Sequence, residues 1–245
     1  MDEQSFHRTL HPMQRAGGTL LDIGAHDGEF TRPFAALAAV AGSRVLAFEP
    51  LPSAFARLAA QTWPAHVELR REALGDHMGE ITLTLPVVEG VAQEQWASTA
   101  KGYAQHAGVA EQRHRVPLIT MDSLNLTDLT HVKLDAEGGE YEVLRGARET
   151  LSRCRPVLSI EIEERHRPGA TWSVPAYLDA LGYDAFWEWW GDWQPMAGFD
   201  RARLHQANPD PSVFEAARDY VFVFYFLPRE HAVAMLAALR AAEAR

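Results

Sequence analysis

A single cysteine, Cys154, occurs in 245 residues. That excludes an internal disulfide and a zinc site built from cysteines. Placed near the end of a predicted helix, Cys154 reads as a small buried apolar residue rather than a nucleophile. No run approaches the ~20 apolar residues that span a bilayer. The opening segment MDEQSFHRTLHPMQRAGG lacks the apolar stretch of a signal peptide. No membrane span is expected, and a cytoplasmic location is the simplest reading. Positive charge is also scarce: 23 lysines and arginines stand against 33 acids, a net charge of −10. Nucleic acid is therefore not an expected partner, because a polyanion normally meets a basic field. The dinucleotide fingerprint G-x-G-x-x-G is absent, and no internal repeat is evident.

What is present is a hydrophobic share of 47%, ample for a core. Short apolar runs (TLLDIGA, SRVLAFEP, HVELRREAL, GEITLTLPV, HVKLDAE, PVLSIEIEE) predict strands. Between them, TRPFAALAAVAG, PSAFARLAAQ, EYEVLRGARETLSR and SVPAYLDALGY carry helical spacing. YDAFWEWW and YVFVFYF predict two further strands, and an Ala-rich helix ends the chain. Residues 89–115 and 191–212 read as loops, the first long enough to act as a lid. The alternation predicts an α/β fold: a mostly parallel sheet, helices on both faces, and an antiparallel C-terminal strand. We expect one domain over 1–245, with 1–18 as an extension, 86–115 as a lid-like insertion and 164–245 as the substrate side. The YVFVFYF strand and the terminal helix offer surfaces for a homodimer.

Ligands of such sheets bind at the carboxyl ends of the strands. The first strand ends in LDIGAHDG, where Gly24 and Gly28 permit a tight turn and close backbone approach. Asp22 beside the turn would repel a phosphate but suits an ammonium or sulfonium. Glu49, at the end of the second strand, lies where such folds place a ribose-binding carboxylate. KLDAEGGE gathers Asp135, Glu137 and Glu140, with Lys133 on the strand. These acids can hold a hard cation, orient a hydroxyl, pair with arginine or cap the next helix. With no histidine in the cluster, no metal is assigned. Among eleven histidines, His26, His106, His114 and His166 stand in or near loops as candidate bases. Trp187, Trp189, Trp190 and Trp193 read either as sheet packing or as a flat wall beside a substrate.

LLDIGAHDGEFT, VLAFEPLPSAFARL, EALGD, ITMDSL, VKLDAEGGEYEVLRGA and RPVLSIE stand in the order that resembles FkbM-type methyltransferases, from about Thr19 to Glu163. Two positions depart from the pattern: His26 stands where Asn is usual, and Ala136 where Val is usual. The resemblance implies a Rossmann-like fold that binds S-adenosylmethionine (SAM). It implies Asp22, Gly24 and Ala25 at the methionine part, Glu49 at the ribose, Ala73 at the adenine and Asp135 near the sulfonium. His26, Phe30, Thr31, Pro50, Glu72, Leu74 and Ser98 complete the expected cofactor set. It also implies O-methylation of a hydroxyl on a small molecule or glycan. Asp135, Glu137 and Glu161, at adjacent strand ends, are the expected catalytic acids. The rival readings are a SAM- or nucleotide-binding module without catalysis and a nicotinamide-dependent oxidoreductase.

Overall fold

Five short strands, each flanked by helices, build the centre of the molecule in the computed structural model, which describes residues 1–94, 97–98, 109–206 and 220–244. In chain order the first half runs α1 (Glu3–Leu10), β1 (Thr19–Ile23), α2 (Thr31–Ala41), β2 (Arg44–Phe48), α3 (Pro52–Ala59) and β3 (Val67–Arg70). Next come β4 (Ala73–Leu74), β5 (Gly79–Val88), β6 (Val91–Ala92), β7 (Ala110–Ile119) and β8 (Leu129–Leu134). The second half holds α4 (Glu140–Arg145), α5 (Arg148–Cys154), β9 (Val157–Glu161), α6 (Ala170–Ala180), β10 (Tyr183–Trp189) and β11 (Asp192–Pro195). It closes with α7 (Arg201–Leu204), β12 (Val223–Pro228) and α8 (Ala232–Glu243).

The main sheet has the order β11-β10-β12-β9-β8-β1-β2-β3. Its strands β3, β2, β1, β8 and β9 are parallel; β12 runs antiparallel to β9 and β10. The Rossmann-like expectation holds, and the antiparallel part is larger than the one strand expected. It includes β11, which forms a hairpin with β10 inside the segment read as a loop.

Side chains alternate across each strand, and the alternation sorts them by polarity. Leu21, Ile23, Val132, Leu134, Leu158 and Ile160 join the core that also contains residues of α4, α5 and α6. Leu20 and Val45 pack with Phe34 and Ala38 of α2 on the opposite face. The polar residues Asp22, His131, Lys133, Ser159 and Glu161 fall in the alternate positions of β1, β8 and β9. A third apolar cluster brings Phe6 and Leu10 of α1 onto Trp193, Tyr225 and Leu227, together with Met235 and Leu239 of α8. Thus α1, which the sequence left as an extension, is an integral layer. Asp2 caps it by accepting from Ser5 N at 2.6 Å.

Other boundaries moved for physical reasons. HVELRREAL divides: β3 joins the main sheet, while β4 pairs with β7 in a second sheet of order β4-β7-β5-β6. The end of the expected 89–115 loop is strand, because 110–118 pair with 87–79 along β5. Trp96, Tyr103 and His106 of that segment lie outside the described residues. EYEVLRGARETLSR is two helices. Asp122 accepts from Glu149 N and Thr150 N, which starts α5 afresh. The two features offered for a dimer are used within the chain: β12 is interior to the sheet and α8 packs on α1. Among the described residues no helix is long and apolar enough to cross a membrane.

Gly146, at the α4–α5 break, touches the chain after β4: a Cβ there would lie 1.9 Å from the Gly75 carbonyl oxygen. Backbone cannot yield as a flexible side chain would. Gly146→Ala is expected to cost about 1–3 kcal/mol by overpacking, read as a lowered urea midpoint at an unchanged m-value.

Candidate active site

The turn after β1 shapes the site. Gly24 N and Ala25 N both donate to the Phe48 carbonyl, at 3.0 and 2.9 Å, which ties the end of β1 to the end of β2. Gly24 has φ +81, and a Cβ on it would stand 2.0 Å from the Asp135 carbonyl oxygen. Only glycine allows β1 and the chain after β8 to come this close. His26 is held at φ 45, a left-handed conformation that asparagine adopts more readily than most residues. Its N–H donates to Glu49 Oε2 at 2.8 Å, and Leu51 N donates to Glu49 Oε1 at 2.8 Å. Burial pushes Glu49 up to about 7.

Above this turn lies a cavity of about 770 Å³, within the usual range for small-molecule sites. Gly24, Ala25, His26, Phe30, Glu49, Pro50, Glu72, Ala73, Leu74, Asp135, Glu137 and Glu161 all line it, as do Phe48, Leu51 and Leu83. Three expected residues do not line it. Asp22 is buried under the turn, where it accepts from Thr31 Oγ1 at 2.6 Å. Thr31 is thereby a partner of Asp22, not a wall. Ser98 is buried, bridges Thr84 of β5, and donates from Oγ to the Glu137 carbonyl at 2.5 Å. It braces the chain at Glu137.

The cavity has walls the sequence did not assign. Asp2, Glu3 and Gln4 of the α1 segment line it, with Lys133, Arg165 and Phe222. Lys133 Nζ donates to Asp135 Oδ2 at 3.2 Å. Burial alone would lower the Lys133 ammonium; Asp135, Asp22, Glu3 and Glu161 around it override this and raise it. Among the described residues, lining acids number nine (Asp2, Glu3, Glu29, Glu49, Glu72, Glu94, Asp135, Glu137, Glu161) against two cations, Lys133 and Arg165. The cavity is therefore strongly acidic.

Glu161 and Glu163 are two residues apart and differ in charge state. Burial, then Asp135, Glu137 and Glu163, hold Glu161 well above the ordinary carboxylate range. For Glu163, burial is overridden by Arg165, His166 and the Tyr220 hydroxyl, which bring it down to about 2. Arg165 donates twice to Glu163 at 2.6 Å, and Tyr220 donates at 2.5 Å. Environments that separate neighbouring carboxylates in this way mark acid–base sites. The fold also brings His166 to the acids: its Nε2 is 3.3 Å from Glu137 Oε2 and 3.3 Å from Glu163 Oε1. Ligand atoms of Glu137, Glu161 and His166 lie within 4.8 Å of one another, so the expectation of a cluster without histidine is corrected. The separation of His166 from KLDAEGGE along the chain hid this. Glu140, in contrast, is structural. It accepts from Ala136 N and Gly138 N and holds the turn before α4.

The tryptophan run resolves as packing. Trp193 and Trp187 are buried in the cores, Trp190 is exposed, and none of Trp187, Trp189, Trp190 or Trp193 lines the cavity. Cys154 is half-buried and donates to the Leu126 carbonyl at 3.3 Å.

Glu140 yields a stability test. Burial raises it from 4.5 to about 7 in the fold, so between those values the native state holds a proton the unfolded chain has lost. Its contribution thus falls as pH rises through that window, by on the order of 3 kcal/mol. Glu140→Gln keeps the acceptor but not the titration. Relative to wild type, the variant should become more stable from pH 5 to pH 8 in urea unfolding.

Residues 22–185 match the Methyltransferase FkbM domain. No curated protein matches the chain. Among solved structures it is similar to the FkbM methyltransferase of Methylobacillus flagellatus KT, with 16% identity and a TM-score of 0.49 over 86% of this chain and 43% of that one. It is similar to a SAM-dependent methyltransferase of Aquifex aeolicus, with 12% identity and a TM-score of 0.43 over 91% of this chain and 89% of that one. It is also similar to precorrin-6y C5,15-methyltransferase of Geobacter metallireducens GS-15, with 12% identity and a TM-score of 0.43 over 93% of this chain and 90% of that one. The chain thus spans less than half of the Methylobacillus protein. The domain match covers well over half of the 245 residues, and the chain belongs to the FkbM methyltransferase domain family.

Proposed function

We propose that the chain is a SAM-dependent O-methyltransferase acting on a hydroxyl of a small molecule or glycan. The observation that carries this reading is the acidic cavity over a glycine turn. A ligand with an ammonium and a sulfonium meets complementary charge there, whereas the pyrophosphate of a nicotinamide dinucleotide meets repulsion. The donors and acceptors fit SAM residue by residue. Asp135 Oδ1 is buried without a hydrogen-bond partner among the described residues, an acceptor suited to the amino-acid end. Gly24 and Ala25 line the cavity beside it, with no bulky side chain to keep a ligand off the turn. Glu49 retains acceptor capacity for a ribose diol. Phe48, Leu51, Ala73, Leu74 and Leu83 form an apolar wall for a purine.

When bound, SAM supplies an activated methyl group on a good leaving group. The chain has to align the acceptor oxygen and take its proton. Alignment in well-oriented systems is worth ~7–11 kcal/mol, and a general base adds ~10²–10⁴-fold. Glu161, raised by burial and then by its acidic neighbours, is the stronger base of the cluster. Glu137 and Asp135 orient the hydroxyl, and Lys133 Nζ holds Asp135 in place by donating to its Oδ2. Phe222 and Arg165, from the C-terminal part, face the acceptor. A binding module without catalysis would not require carboxylates held in such different charge states.

Calorimetry with SAM, S-adenosylhomocysteine and NAD is the direct test; tight binding of NAD alone overturns the reading. Ribose hydroxyls donate to the ionised form of Glu49, so SAM affinity should rise with pH through about 7. It should be roughly tenfold weaker at pH 6 than at pH 8, and Glu49→Gln should remove that dependence. Once an acceptor is found by labelled-SAM screening of fractionated metabolites and glycans, Glu161→Gln should lose ~10²–10⁴-fold in turnover with SAM affinity nearly unchanged. Wild-type turnover in Asp135→Asn, Glu137→Gln and Glu161→Gln alike would exclude the acid cluster as the catalytic group.

A further inference from the structure

One imidazole at the acid cluster is left unused by this mechanism. His166 is buried in the turns between β9 and α6. Its Nε2 lies 3.3 Å from Glu137 Oε2 and 3.3 Å from Glu163 Oε1. Glu137 and Glu161 line the cavity. One ligand atom from each of Glu137, Glu161 and His166 lies within 4.8 Å of the other two, and among the described residues no other three side chains of metal-ligating type converge so closely. The three come from separate stretches: the chain after β8, the last residue of β9 and the segment that leads to α6.

The spacing suits an ion better than a shared hydrogen. A charge-assisted N–H···O bond closes to about 2.7–2.9 Å, and both contacts of His166 Nε2 are longer. Ligand atoms about 2.1 Å from one ion stand about 3.4 Å apart in a tetrahedron, and about 3.0 or 4.2 Å apart in an octahedron. The 3.3 Å contacts fall among these values, and small side-chain rotations bring the rest of the group to them. An ion takes the place of the hydrogen on Nε2, as metal binding to an imidazole requires.

Charge points the same way. The largely buried Glu161 carboxylate faces those of Asp135, Glu137 and Glu163, and among the described residues no donor bonds to it. The two cations that line the cavity are engaged elsewhere: Lys133 Nζ donates to Asp135 Oδ2, and Arg165 donates twice to Glu163. Carboxylates gathered out of water are costly without a cation of their own. Oxygen ligands alone would suit Mg²⁺ or Ca²⁺; an imidazole added to two carboxylates selects a first-row divalent ion that takes both oxygen and nitrogen, such as Mn²⁺ or Zn²⁺. We propose that Glu137, Glu161 and His166 bind one such ion, with its remaining positions open to the cavity.

The role of the ion rests on the methyltransferase reading; the binding site does not. Three protein ligands leave positions for a substrate, the mark of a catalytic rather than a structural metal. An acceptor hydroxyl in such a position is polarised by the ion and gives up its proton more readily. Each side chain lends the ion one atom, so the second oxygen of Glu161 still takes that proton. The oxygen's electron pair forms the O–C bond, and the S–C pair stays on sulfur.

The test needs no acceptor, and Mn²⁺ is the probe. The full chain, stripped with a chelator, is titrated with Mn²⁺ and read by electron paramagnetic resonance. One ion per chain is expected, with hyperfine coupling to an imidazole nitrogen that changes when histidine is ¹⁵N-labelled. His166→Gln should abolish that coupling and weaken binding at least about tenfold. Glu161→Gln should weaken binding by a similar factor and keep the coupling, and it carries the test if urea unfolding shows that His166→Gln does not fold. No bound ion at millimolar Mn²⁺, an ion without nitrogen coupling in wild type, or equal binding in both folded variants overturns the site. SAM calorimetry on the same metal-free protein tests the reading beneath the role. Bound SAM without bound Mn²⁺ removes only the ion, whereas bound Mn²⁺ without SAM keeps the site and removes its part in methyl transfer.

Discussion

The Lys133 ammonium is the interaction on which the site depends. Asp135, Asp22, Glu3 and Glu161 surround it, and carboxylates under a sheet end are costly without a cation. The chain contains only two lysines, Lys101 and Lys133; its other cationic side chains are arginines and histidines. A compact ammonium on a flexible stem can share itself among several carboxylates, where a planar guanidinium would pair with one. Glu3 reaches this centre only because α1 lies across the polar face. The packing of Phe6 and Leu10 against α8 and β12 is therefore also what sets the electrostatics of the cavity.

Much of this was written in the strand sequences. HVKL carries His131 and Lys133 on one face and Val132 and Leu134 on the other; VLSIE divides Ser159 and Glu161 from Leu158 and Ile160 in the same way. The strand alternation, the turn at 22–28 and the Glu49 and KLDAEGGE strand ends could be read from local pattern. They located the fold, and twelve of the expected site residues line the cavity.

What stayed hidden depended on distant partners. The helical pattern of α1 is short, and its apolar positions gain meaning only against α8 and Tyr225. His7 and His131 are 124 residues apart, and no local spacing announces their contact. His166 joins Glu137 across the end of the sheet. Asp22, expected at the cofactor, lies buried beneath the turn, where Thr31 nine residues on donates to its Oδ2 and its Oδ1 has no partner among the described residues. The tryptophans misled in the opposite sense: a dense aromatic run invites a binding wall, but the sheet edge needed bulk to bury against α1 and α8.

The contrast between Glu161 and Glu163 shows how finely one strand end divides the labour. Alternation in an extended chain sends both side chains to one side, yet only Glu163 meets Arg165 and Tyr220. With that charge fixed by its partners, the repulsion falls on Glu161, which also faces Asp135 and Glu137. Burial first, then the charges of Asp135 and Glu137, make Glu161 basic, and fixing Glu163 as an anion adds to them. The two effects cannot be separated by mutation at Glu161 alone. Removing Arg165 would release Glu163 to take up a proton, relieve Glu161, and so weaken the base without touching it.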